Sequence, residues 1–138
     1  MVRKSTSKSV SLPSPDRRGE VPFEKALAGR RSVRSYSRTP LTLEEVSQLL
    51  WAAQGITSKE GDRTAPSAGA LYPLELYVVV GHAEGLAAGV YRYHPKGHRL
   101  ERRADGDRRD ALSHAALSQE SVRDAPVVFA VTGVYERS

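Results

Sequence analysis

The sequence predicts a single α/β or α+β domain, and three stretches predict it. One is a helix with both ends marked, opening at Thr42 and stopping at Gly55. The second is a pair of uninterrupted apolar runs, Leu74–Val80 and Val127–Val131, which read as buried strands. The third is a loop of small residues between Pro66 and Pro73, immediately ahead of the first of those strands. Helices and strands mixed along one short chain are the pattern of a layered, mixed architecture.

Residues 1–19 are rich in Ser, Lys, Arg and Pro and offer almost nothing to bury, so they read as a flexible basic tail. The folded domain is expected over 20–138. Pro22 to Ala28 is a short helix candidate with Phe23 and Leu27 on one face, and Gly29 ends it. An arginine-rich stretch then runs to Arg38 and Pro40. In the main helix, Thr42 and Glu45 form a capping box and Leu41 with Val46 suits a hydrophobic staple. Leu43, Val46, Leu49, Leu50 and Ala53 make its apolar stripe, and residues 57–63 make a polar loop.

Beyond the small-residue loop, the continuous run Leu74–Val80 implies cover on both faces of its strand. Val90–His94 and His98–Arg102 flank Pro95-Lys96-Gly97 as a hairpin. Asp107–Ala116 reads as a helix with Ala111, Leu112 and Ala115 inward, followed by the strand Val127–Val131. Two strands buried on both faces need more covering layers than these helices supply. A partner chain, or further chain of the same domain, is expected to complete the core.

Composition narrows the function. At 138 residues the chain is one domain, and 39% apolar residues is an ordinary globular share. No cysteine is present, which excludes disulfides, thiolate nucleophiles and Cys-ligated zinc. No apolar run reaches the ~18 residues of a membrane span, and no h-region follows the basic amino terminus, so the expected location is cytoplasmic. The net charge of +5 is uneven, with +7 over residues 1–38 and −2 over the rest. Without a zinc-finger, RNP or helix-turn-helix pattern, this asymmetry does not make a nucleic-acid binder.

Arg30, Arg31 and Arg34, interleaved with Ser32, have the chemistry to hold a phosphate. Guanidinium forks donate paired hydrogen bonds to its oxygens and a serine hydroxyl adds another donor. The same cluster also reads as a solvated basic turn. Arg30 and Arg34 share a face if the stretch is helical. Pro66, Ser67, Ala68 and Gly69 leave backbone groups open to close approach by a flat or polar ligand, though a plain loop before a core strand has the same look. His82, His94, His98 and His114 lack metal-ligand spacing with acids, so no metal is expected. Neither a G-x-S-x-G elbow nor a Gly-rich nucleotide loop occurs. No residue is assigned a catalytic role.

Taken together, several stretches resemble the nitroreductase family of flavoproteins. These are Arg30-Arg31-Ser32-Val33-Arg34-Ser35-Tyr36, Leu41-Thr42-Leu43-Glu44-Glu45, Leu49–Gly55, Arg63–Glu75 and the hairpin from Gly89 to Tyr93. The arginine element followed some thirty residues later by Pro-Ser-Ala-Gly-Ala-Leu-Tyr-Pro is similar above all to the SagB-type dehydrogenases, including thiazoline/oxazoline oxidases. The resemblance covers roughly residues 20–135.

It implies a nitroreductase-like α+β fold, a central mixed sheet flanked by helices, and an FMN-dependent oxidoreductase that works as a homodimer with flavin at the interface. Carried over by position, Arg30, Arg31, Ser32 and Arg34 hold the phosphate and ribityl chain. Pro66, Ser67, Ala68 and Gly69 of the other subunit lie against the isoalloxazine ring. The reaction implied is hydride transfer through flavin N5, either oxidising an azoline of a peptide or small molecule or reducing a substrate with NAD(P)H. Family members continue past the strand at Val127–Val131 through a long central helix and a further strand, a part that in the azoline oxidases supplies a Lys-Tyr pair. That C-terminal portion is expected to be missing here, which leaves a second reading: an incomplete fragment or binding module.

Overall fold

The computed structural model of the chain describes residues 8–138. Its centre is an antiparallel sheet of five strands, β1 (Ser9–Ser11), β2 (Leu74–Val80), β3 (Gly89–His94), β4 (Arg99–Asp105) and β5 (Val127–Gly133), in the order β1-β4-β3-β2-β5. Four helices accompany it: α1 (Phe23–Gly29), α2 (Leu43–Gln54), α3 (Arg109–Ala115) and α4 (Glu120–Asp124). The class is α+β. Pairing between the strands is antiparallel throughout rather than mixed, and parallel geometry occurs in the isolated bridge Leu41↔Ala83.

The sheet carries its core on one face. Strand β3 alternates, burying Gly89, Tyr91 and Tyr93, and the register Val78↔Tyr91 sets those rings beside Leu76, Val78 and Val80 of β2. Helix α2 closes this face with Val46 and Leu50, both fully buried. Burying two such side chains contributes about 1.5–3 kcal/mol each, and Leu50→Ala costs roughly 2–5 kcal/mol. A buried tyrosine needs a partner for its hydroxyl. Tyr91 donates to the Ala87 carbonyl at 2.7 Å, and Tyr93 meets His98 Nδ1 at 2.9 Å.

Helix α2 starts where its local chemistry dictates. Glu45 N–H donates to Thr42 Oγ1, and Thr42 N–H donates to the Glu45 carboxylate, which satisfies two of the end's orphan donors. It stops at Gly55, where any Cβ would meet the Trp51 ring and carbonyl. Its buried face differs from the apolar stripe read from sequence. Ser47 and Gln54 are buried while Leu49 is half exposed. Both buried polar residues have partners, which is what permits their burial.

Three further expectations are corrected. The stretch 8–19 of the supposed tail is built into the fold, and residues 1–7 lie outside the described residues. Strand β1 pairs with β4, Leu12 N–H donates to the His98 carbonyl, and Ser47 Oγ–H donates to the Pro13 carbonyl at 2.6 Å. Backbone pairing, polar anchors and the packing of Val10 and Leu12 against the core hold this arm. In α3, Ser113 is the buried residue; Ala111 and Ala115 face out. The cover expected on both faces of β2 is partial, because its second face is shared by the buried Val79 and the Glu75–Arg92 ion pair.

Candidate functional site

The loop between α2 and β2 is hung from the helix end. Thr64 N–H donates to the Gly55 carbonyl at 3.0 Å, and Ile56 bridges to Arg63. Beyond Pro66 the chain makes a short 3-10 turn over Ala68–Ala70. Three residues there have left-handed backbone, Gly69 at φ 63°, Ala70 at φ 53° and Tyr72 at φ 45°. Glycine adopts this freely, but each non-glycine costs about 1–2 kcal/mol. Strain of that kind persists only where neighbours over-determine the shape.

Those neighbours are visible. Ser67 Oγ accepts from the Tyr72 N–H at 2.8 Å, closing the turn on itself. Arg63 places its guanidinium 4.0 Å from the centroid of the Tyr72 ring and donates to Gln54 Oε1 at 3.3 Å. A cavity of about 300 Å³ lies against the loop, lined by Gln54, Pro66, Ser67, Ala68, Tyr72 and their strand neighbours Pro73 and Leu74. Ala68, Gly69 and Ala70 are exposed, so their backbone is open to close approach. Thr64 Oγ1, at the loop's entry, is buried without a hydrogen-bond partner.

Residues 30–36 form neither helix nor strand, so Arg30 and Arg34 do not share a helical face, and the whole stretch is exposed. Arg31 is partly committed, donating to the Ala28 and Arg30 carbonyls at the end of α1. Such basic capping of C-terminal carbonyls is favourable. Among the described residues, the side chains of Arg30, Ser32 and Arg34 have no hydrogen bond or ion pair. These donors suit a phosphate, and the small-residue loop suits a flat ring.

The chain does not itself bring the two sets together. Among the described residues, no hydrogen bond or ion pair joins 30–34 to 66–69. Sequence reasoning found both stretches but missed Gln54, whose burial at the last turn of α2 makes it the anchor for Arg63. A polar residue on the apolar side of an amphipathic helix was the available signal. Among the described residues, no group of three His, Asp or Glu side chains is placed to hold a metal, and no helix is long and apolar enough to cross a membrane.

Comparison with known proteins identifies the family of this fold. The model of the nitroreductase family matches residues 27–138. A Methanocaldococcus jannaschii protein provisionally named a nitroreductase, MJ1384, is 45% identical over 119 residues, which are 86% of this chain and 60% of that protein. The trifolitoxin-processing protein TfxB of Rhizobium leguminosarum bv. trifolii is 39% identical over 67 residues, 48% of this chain and 16% of that one. The crystal structure of a provisionally named nitroreductase from Ralstonia eutropha JMP134 superposes with a TM-score of 0.80 at 32% identity, covering 96% of this chain and 59% of that chain. The chain thus spans about 60% of the length of MJ1384 and of the Ralstonia eutropha protein. With the family model matched over 112 of its 138 residues, the chain belongs to the nitroreductase family.

Proposed function

We propose that the protein is an FMN-dependent oxidoreductase of the SagB-type dehydrogenase branch, working as a cytoplasmic homodimer with flavin at the subunit interface. The observation that carries this reading is the separation of two complementary half-sites. Unpartnered Arg30, Ser32 and Arg34 stand on one exposed stretch, and the strained small-residue loop stands on another. Two copies of one chain are the simplest way to bring such halves together.

In this reading Arg30 and Arg34 bind the phosphate as bidentate donors, Ser32 adds a hydroxyl, and Arg31 contributes what its capping role leaves free. From the partner copy, Pro66, Ser67, Ala68 and Gly69 lie against the ring, and the last three present backbone N–H donors to it. The Ser67 hydroxyl accepts from Tyr72 N–H and so keeps its own proton for donation. Arg63 and Gln54 hold the loop in that shape. Bound FMN supplies hydride exchange at N5; the protein's residues position it and exclude water.

The substrate reading, carried from the resemblance, is oxidation of an azoline to an azole in a peptide or small molecule; similarity to a trifolitoxin-processing protein supports a processing role. Reduction of a small molecule by NAD(P)H is the alternative chemistry on the same flavin. The test is reconstitution: the purified chain, mixed with excess FMN and desalted, retains a flavin absorption band near one equivalent per chain. A colourless desalted protein that is nonetheless folded contradicts the proposal and leaves the reading of a non-catalytic binding module.

A further inference from the structure

The sheet splits at one place. The β2–β3 register runs from Val80↔Gly89 to Tyr77↔Arg92 and ends there. Beyond that point β2 stays paired with β5 as far as Leu74↔Gly133, and β3 stays paired with β4 as far as His94↔Arg99. Two strands that are neighbours in the middle of the sheet therefore diverge, and their facing edges frame a cleft. A cavity of about 250 Å³ occupies it, lined by Leu74, Glu75 and Leu76 on one side and by Tyr93, His94, Pro95 and Lys96 on the other.

The lining is cationic. Arg63, Arg92, Lys96 and Arg137 all border the cleft, against one carboxylate, Glu75. Glu75 lies only 13% exposed between Arg92 at 3.0 Å and Arg137 at 2.5 Å. His94 is held by Glu101 at 2.7 Å. Arg63 meets no carboxylate, having only Gln54 and the Tyr72 ring as partners, and Lys96 has no side-chain partner among the described residues. Taking Glu75 as ionised, the cleft carries a surplus of positive charge in a concave, partly water-excluded place, where field lines concentrate on an anion.

We propose that the cleft between β2 and β3 is an oxyanion-binding site, taking a carboxylate or phosphate group. Arg63 and Lys96 supply charge that no carboxylate neutralises, Arg92 and Arg137 are pre-oriented by Glu75, and strand-edge N–H groups at the split offer further donors. The cavity of about 250 Å³ accommodates a small oxyanion or the anionic end of a larger molecule. Gln54 and Leu74 border both this cleft and the cavity against the small-residue loop. An anion bound here is thus adjacent to the loop assigned to flavin, while its binding does not depend on that assignment.

The test is titration of the ¹⁵N-labelled full chain, without flavin, with inorganic phosphate and separately with succinate, at constant ionic strength against sodium chloride. The expected result is saturable movement of the backbone amides of residues 74–76 and 93–97 with at least one of the two oxyanions. Phosphate or succinate alone acting names which group the cleft prefers. Lys96→Glu, an exposed change, weakens binding at least about tenfold, the loss of one charge-assisted contact. Lys59→Glu, in the loop between α2 and the small-residue turn, leaves it unchanged. Movement confined to residues 30–35 overturns the cleft proposal while leaving the phosphate role of the arginine stretch standing. No movement beyond that seen with chloride, or equal losses from the Lys96 and Lys59 variants, overturns it as well.

Discussion

The Arg63 guanidinium stacks on the Tyr72 ring at 4.0 Å and reaches the buried Gln54 with the same side chain. One residue thereby ties the end of α2 to a loop with left-handed φ at Ala70 and Tyr72. A cation–π contact contributes about 0.5–2 kcal/mol and the hydrogen bond about 1 kcal/mol more. Arg63→Leu keeps much of the apolar stem but removes both contacts. Expected is faster amide exchange over residues 66–72 with little change in β2, read by hydrogen exchange mass spectrometry. Unchanged protection in the loop would mean that the strained turn holds itself.

Thr42→Ala removes the acceptor of the Glu45 N–H and leaves the backbone N–H of residue 42 to donate to the Glu45 carboxylate, so one half of the capping box is lost. The expected loss is ~1 kcal/mol, or roughly 3–5 °C in Tm for a chain of this size. Glu45→Ala costs less, since the Thr42 hydroxyl remains. Thermal unfolding followed by circular dichroism checks the order of the two variants.

His98 joins three elements: its ring meets Tyr93 Oη, Ser47 Oγ and the Pro13 carbonyl. Burial pushes its pKa below the usual 6.5, against the Pro13 hydrogen bond, which raises it. The groups facing the ring carry no charge at neutral pH, because burial pushes Tyr93 up to about 12. A depressed folded pKa means the folded state favours the neutral ring. The stabilisation is therefore complete above about pH 6.5 and is lost as pH falls through the lower folded value. Denaturant unfolding of wild type and His98→Gln should show a gap that narrows from pH 7.5 to pH 5. A gap that widens on acidification would reverse the sign of the argument.

Deleting residues 1–13 tests the amino-terminal arm. The deletion removes β1 and the Pro13 carbonyl that Ser47 and His98 share. Leaving buried polar groups short of a partner costs about 1–3 kcal/mol each, so a stability loss of at least ~2 kcal/mol is expected by urea unfolding. A truncated chain as stable as the intact one would return this segment to the status of a tail.

That arm also shows where sequence reasoning stopped. The limits of β2 and the start of α2 were legible because local chemistry sets them: an apolar run between Pro73 and Gly81, and a Thr-x-x-Glu box. Strand β1 was not, since Ser-Val-Ser carries no pattern and its pairing is supplied by the free edge of β4. Ser47 and Gln54 were absent from the stripe because a stripe argument gathers apolar residues, yet their partners Pro13, His98 and Arg63 lie far along the chain or in a loop. The arginine stretch and the small-residue loop stood out by composition. The Arg63 clamp needed the fold, as only tertiary structure places Tyr72 beneath that guanidinium.

Helix α1 buries none of its residues, with Phe23 71% and Leu27 58% exposed on one side. Leu71, Val131 and Tyr135 add further exposed apolar surface. Surface of this kind marks association, so sedimentation at micromolar concentration is expected to show a dimer, shifted toward monomer by Leu27→Glu. A monodisperse monomer for the wild-type chain would contradict the interfacial flavin site.

The central claim, that unpartnered Arg30 and Arg34 hold the phosphate of FMN, is tested most directly by comparing FMN with riboflavin, which lacks that phosphate. The measurement is the dissociation constant of each flavin, by flavin fluorescence, for wild type, Arg34→Ala and Arg38→Ala. Each charge-assisted hydrogen bond contributes about 1.5–3 kcal/mol, so Arg34→Ala should weaken FMN by roughly 10- to 100-fold. Riboflavin should bind wild type and Arg34→Ala about equally, and Arg38→Ala should leave FMN near its wild-type affinity. FMN binding that is equally tight in all three proteins would make the arginine stretch a solvated turn and contradict the account.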